Sequence, residues 1–143
     1  MEEMINEKLS RLRQYVGYLR ALKDTSLEAF EKDFRVRGAI ERYLHLAIES
    51  VIDIGNEIIS ALQLRRPEQY RDIPYILVEA LVIPERFAED VARMIGFRNL
   101  IVYDYAALDR ELEFGFLQSR LGDFDVYMKH VAEWLKNRAL ANP

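Results

Sequence analysis

The stretch RVRGAIERYLHLAIESVIDIGNEIISALQ, residues 35–63, decides how this chain folds. It holds no proline, and its apolar residues recur every three or four positions. At about 100° per residue, Ile40, Tyr43, Leu44, Ala47, Val51, Ile54 and Ile58 fall on one face of an α-helix. Arg42, His45, Glu49, Asp53, Asn56 and Ser60 fall within an arc of about 80° on the other face, with Ile48, Ile52 and Ile59 close to one edge of that arc. A helix this long hides its apolar face only against other long helices. The polar stripe is either a solvated face or the wall of a cleft. An amphipathic helix needs a solvated face, which is the default reading, although the stripe's narrowness and its mixture of Arg, His and carboxylates modestly favour a wall. Glu41, Arg42, Glu49, Asp53 and Glu57 exclude a membrane span here.

The flanking sequence supplies partners of the same kind. Ile5, Leu9, Leu12, Val16 and Leu19 step by four and three, which predicts an amphipathic helix over 3–23. Thr25 with Glu28 three positions on reads as a capping box that opens a short helix over 26–33. LRRPEQYRDIP reads as a loop, and Asp72 as the N-cap of a short helix over 73–81. Pro84 suits the first turn of a helix over 84–104, whose period, begun at Phe87, carries through LIVYDY. Asp109 caps a final long helix, along which Phe114, Leu117, Leu121, Phe124, Met128, Val131 and Leu135 form a packing seam. The expectation is one all-α domain over residues 1–143: an up-and-down antiparallel four-helix bundle with two short extra helices.

Composition narrows the chemistry. With 143 residues, half of them hydrophobic, the chain can bury one substantial core. The absence of cysteine excludes disulfides, thiolate metal sites and cysteine nucleophiles. The opening MEEMINEKLS is acidic and lacks the apolar run of a leader, so the chain reads as cytoplasmic, with no membrane partner. A net charge of −4 means that any RNA contact rests on a local patch. Neither His45 nor His130 has Glu three positions before it, as a di-iron bundle requires, and no metal or cofactor is expected. Phosphate-cradling glycine loops, nucleophile elbows and zinc-protease helices are absent too.

One charge sits where the pattern asks for an apolar residue. In GFRNLIVYDYAALD, residues 96–109, Arg98 shares a helix side with Phe87, Val91, Met94, Val102 and Tyr105. A guanidinium stays charged, and burying it unpaired costs several kcal/mol. Arg98 therefore needs a carboxylate, for which Asp53 or Glu49 is the candidate, or a polar cleft open to ligand. Tyr105 lies about two turns away on the same side, while Tyr103 points roughly 140° away unless the helix bends or a second subunit completes the cleft. Internal pairing among core tyrosines is the competing account.

The segments IERYLHLAIESVIDIGNEIIS, LRRPEQYRD, ALVIP and GFRNLIVYDY, in that order and spacing, resemble the HepT-type branch of the HEPN superfamily over nearly the whole chain. The resemblance implies an up-and-down helical bundle that forms a homodimer, with its motif in the cleft between subunits. It implies a metal-independent ribonuclease toxin acting on RNA such as tRNA or mRNA. It also implies a cognate minimal nucleotidyltransferase that silences the toxin by adenylylating a motif tyrosine. The family motif is Arg, four to six residues, His, any residue, Tyr. Arg98 matches the Arg, Tyr105 matches the Tyr and would be the acceptor, and Tyr103 stands where the His belongs. Many relatives also carry His where Glu57 stands. Attack by a 2′-hydroxyl needs a proton acceptor, a proton donor and positive charge on the phosphate. A tyrosine titrates near 10 and is a poor base at neutral pH, so cleavage is expected to be weakened by about 10²–10⁴-fold or lost. His45 substitutes only if it faces the same cleft. The alternative is a catalytically silent HEPN dimer that binds RNA, a nucleotide or the nucleotidyltransferase.

Overall fold

The computed structural model describes residues 1–103 and 109–141, with Tyr103 represented by its backbone alone. Among these residues there is no strand, and the order is α1 Glu2–Ala21, α2 Leu27–Lys32, α3 Phe34–Ala61, a 3-10 turn Tyr70–Asp72, α4 Ile73–Glu79, α5 Glu85–Tyr103, α6 Arg110–Ser119 and α7 Leu121–Ala141. Helices α1, α3, α5 and α7 pack in a ring around one core, as a four-helix bundle does. The pairs α2 and α6, and α4 and the 3-10 turn, cover its flanks. No helix among the described residues is long and apolar enough to cross a membrane.

The α1 face is the expected one: Ile5, Leu9, Leu12, Val16 and Leu19 are all buried. On α3 the buried arc is wider than the single face read from periodicity and includes Ile48, Ile52 and Ile59. The cause is position, because α3 packs against α1, α2, α4 and α5 together. Each buried branched side chain of this kind contributes about 1.5–3 kcal/mol.

Three local expectations change. The side chain that caps α2 is Ser26, which accepts from the Ala29 N–H, rather than Thr25. Asp72 is the N-cap residue of α4 as expected, but it makes no side-chain cap; its carboxylate instead accepts from the Glu68 and Gln69 N–H groups and ties down the preceding loop. The final helix is two helices. Asp109 does cap α6, accepting from the Glu111 and Leu112 N–H groups, but the chain leaves helical geometry at Arg120 (φ −117°, ψ 2°) before α7 begins. The Ser119 hydroxyl donates to the Gly115 carbonyl in the last turn, a side-chain bond that competes with regular helix continuation.

Two contacts set the spacing of the bundle. The Tyr127 hydroxyl, fully buried on α7, donates to the Val51 carbonyl of α3 at 3.0 Å, and burial pushes its pKa up. At Gly55 an added Cβ would stand 2.4 Å from Ile73 Cγ2, so α4 begins hard against the α3 backbone. Both walls are buried, so Gly55→Ala is expected to destabilise the protein by about 1–3 kcal/mol despite alanine's better helix propensity. Urea unfolding midpoints of the two proteins check this; an unchanged or higher midpoint would refute the close packing.

Candidate active site

Arg98 occupies the inner side of α5 and is 7% exposed. Its Nε donates to Glu49 Oε1 of α3 at 2.5 Å, and Nη1 donates to Asn99 Oδ1 at 3.1 Å. The Tyr70 ring, from the 3-10 turn, lies 5.1 Å from the guanidinium carbon, within cation–π range. Of the two carboxylates expected as partners, Glu49 makes the ion pair. Asp53, one turn on, is solvent-exposed and senses Arg98 only through its charge. Partial loss of solvation against the neighbouring helices raises the Asp53 pKa even so, reinforced by Glu49, while Lys8 of α1 and Arg98 oppose the rise.

The same Glu49 oxygen lies 3.3 Å from His45 Nε2, one turn back on α3. Imidazole and guanidinium thus meet on one carboxylate oxygen. The side chains of His45 and Glu49 are 25% and 29% exposed, so solvent reaches the cluster from the α3 side, whereas Arg98 lies deeper than a groove open to water would hold it.

The expected polar stripe divides accordingly. His45 and Glu49 join Arg98, while Arg42, Asp53 and Asn56 face solvent. Val102, placed by periodicity on the inner side of α5, is exposed. Tyr105 and the side chain of Tyr103 lie outside the described residues. Tyr70 was missed as a site residue: it sits in a loop without period, and only the arginine–aromatic pairing across the fold reveals it. Asn99 belongs to the FRN element and follows Arg98 directly. Several other arginines are engaged within the chain: Arg35 pairs with Asp33, Arg65 with Glu79, and Arg37 donates to the Phe30 and Glu31 carbonyls.

Chemically, the cluster offers a permanent cation, an imidazole able to donate or accept a hydrogen bond, and a carboxylate that orients both. No group of three or more potential metal ligands occurs among the described residues.

Comparison with known proteins bears on what such a cluster serves. A family model described as ribonuclease HepT-like matches residues 5–131. The chain is similar to an mRNA nuclease HepT from Shewanella oneidensis, 25% identical over 128 residues that span 90% of this chain and 96% of that protein. It is also similar to a tRNA nuclease HepT from Aphanizomenon flos-aquae, 23% identical over 132 residues that span 92% of this chain and 90% of that one. Among solved structures, a tri-AMPylated HEPN toxin from Shewanella oneidensis in complex with MNT antitoxin aligns with a TM-score of 0.84 at 25% identity, over 93% of this chain and 99% of that one.

Proposed function

We propose, from the premise that this chain belongs to the ribonuclease HepT-like family, that it is the ribonuclease toxin of a toxin–antitoxin pair. Its partner is a minimal nucleotidyltransferase that silences it by adenylylation, with Tyr105 as the acceptor. A homodimer completes the cleft, and RNA is the substrate. The observation that carries this reading is Arg98: a charge held inside the bundle by Glu49 and Tyr70, in a chain whose family match spans residues 5–131, and read as the motif arginine from the sequence resemblance. A guanidinium so held can meet the charge that builds on a phosphate under attack, and one such group is worth about 10²–10³-fold in rate.

The test is cleavage of single-stranded RNA and tRNA by the purified protein in EDTA. Arg98→Ala is expected to lose about 10²–10³-fold in rate. Equal rates in the two proteins would remove Arg98 from the reaction. One observation favours a second reading, the tyrosine at 103 in place of the motif histidine. If that change abolishes turnover, the protein is a silent binder, and the same preparation binds RNA without cutting it, with binding lost in Arg98→Glu.

A further inference from the structure

We infer that His45 is the proton acceptor of this ribonuclease site, standing in for the motif histidine that the chain lacks at position 103. The inference rests on the ribonuclease reading above and concerns a residue outside the family motif. The chain has two histidines. His130 packs on Phe87, eleven residues before Arg98 on α5, roughly 16 Å along the helix. His45 is the imidazole that shares the Glu49 oxygen with Arg98, and it keeps a solvent-facing edge. Charged groups near it include Glu49, and one turn back Glu41 and Arg42, on its own helix, and Arg98 on α5; Asp53, two turns on, senses Lys8 of α1.

The contact with Glu49 assigns the tautomer. A carboxylate only accepts, so Nε2–H is the donor to Glu49, and in the neutral ring the lone pair is on Nδ1. With a phosphodiester seated against the solvent-facing edge of this cluster, Nδ1 takes the proton of the 2′-hydroxyl, and Arg98 acts on the phosphate through its charge. The O2′–P bond forms and the P–O5′ bond breaks, leaving a 2′,3′-cyclic phosphate. The departing 5′-oxygen takes a proton from water, and the imidazolium returns its own to solvent. Glu49 steadies the ring while it is charged, so one carboxylate serves the acceptor and the phosphate-binding cation together.

The experiment compares the wild type, His45→Gln, Tyr103→His and the double variant, following metal-free cleavage of one RNA oligonucleotide from pH 5 to 9. His45→Gln is expected to lose about 10²-fold in rate and to change the shape of the pH profile, while RNA affinity stays within a few-fold. In the Tyr103→His background the same substitution is expected to cost only a few-fold, because a second imidazole then takes the proton. A His45→Gln protein with wild-type rate and pH profile would overturn the role of His45 and leave the ribonuclease reading intact. So would a full loss in both backgrounds, which would mark His45 as structural. A wild type that binds RNA without cutting it would overturn both. If His45→Gln fails to fold, the His45 ring resonances of the wild type decide: they are expected to shift on adding a non-cleavable 2′-deoxy oligonucleotide, and unmoved resonances would overturn the assignment.

Discussion

Tyr103→His is expected to raise metal-free RNA cleavage by at least about 10²-fold, the lower end of what a well-placed general acid or base contributes. The argument needs only the functional groups. A phenol is almost wholly protonated at neutral pH and takes up a proton poorly, while an imidazole changes charge between pH 5 and 8. The position follows Arg98 by five residues on a helix that runs to Tyr103, so the change adds an imidazole at the point where the sequence resemblance would place the motif histidine. If His45 already carries part of the proton transfer, the gain stays near the lower end. If the site has no working acceptor, the gain approaches about 10⁴-fold. Initial rates on one RNA oligonucleotide, with wild type, Tyr103→His and Tyr103→His/Arg98→Ala side by side, check the point. The gain must vanish with Arg98, and a variant no faster than wild type would mean that residue 103 lies outside the reaction.

The second large effect concerns stability. Glu113, in the first turn of α6, is fully buried, and neither of its carboxylate oxygens accepts a hydrogen bond from an N–H or hydroxyl donor among the described residues. Loss of solvation, the charge of Glu41 and a hydrogen bond shared with that carboxyl raise the Glu113 pKa from 4.5 to about 8, against the pull of Arg37 and Arg110. Two carboxyls in one buried place are satisfied when one of them is protonated and donates to the other. The folded chain therefore holds a proton that the unfolded chain releases between about 4.5 and about 8. Stability falls as pH rises through that window and levels off above it. In Glu113→Gln the amide N–H donates to Glu41 at every pH. The variant is expected to lose most of the decline and, at pH 8.5, to exceed the wild type by about 1–3 kcal/mol, or roughly 5 °C in Tm. Thermal melts from pH 5 to 9 measure this, and a slope that persists undiminished in the variant would assign the proton to another group.

These residues also mark how far the sequence could be read. Core faces were legible where burial follows period, as on α1 from Ile5 to Leu19. The break at Arg120 was not, because Leu117, Leu121 and Phe124 keep the same three- and four-residue steps straight across it and all remain buried. Periodicity reports which side of a chain is buried and is blind to a single residue leaving helical geometry. The need for a partner at Arg98 was legible from cost alone, and Glu49 was one of two candidates a turn apart. Choosing between them takes the rotation of α3 against α5, which is a property of packing. Tyr70 and the pairing of Glu113 with Glu41 join segments distant in the chain, and no local pattern encodes either contact.

The glycine at position 55 has a reach beyond stability. Ile73, whose methyl fills the place of its missing Cβ, directly follows the turn that carries Tyr70, and Tyr70 roofs the guanidinium that Glu49 holds from below. The close approach that Gly55 allows, a turn and a half beyond Glu49 on the same helix, thus helps to seat the turn whose ring covers the cation. An uncharged position thereby tunes an electrostatic site without touching it.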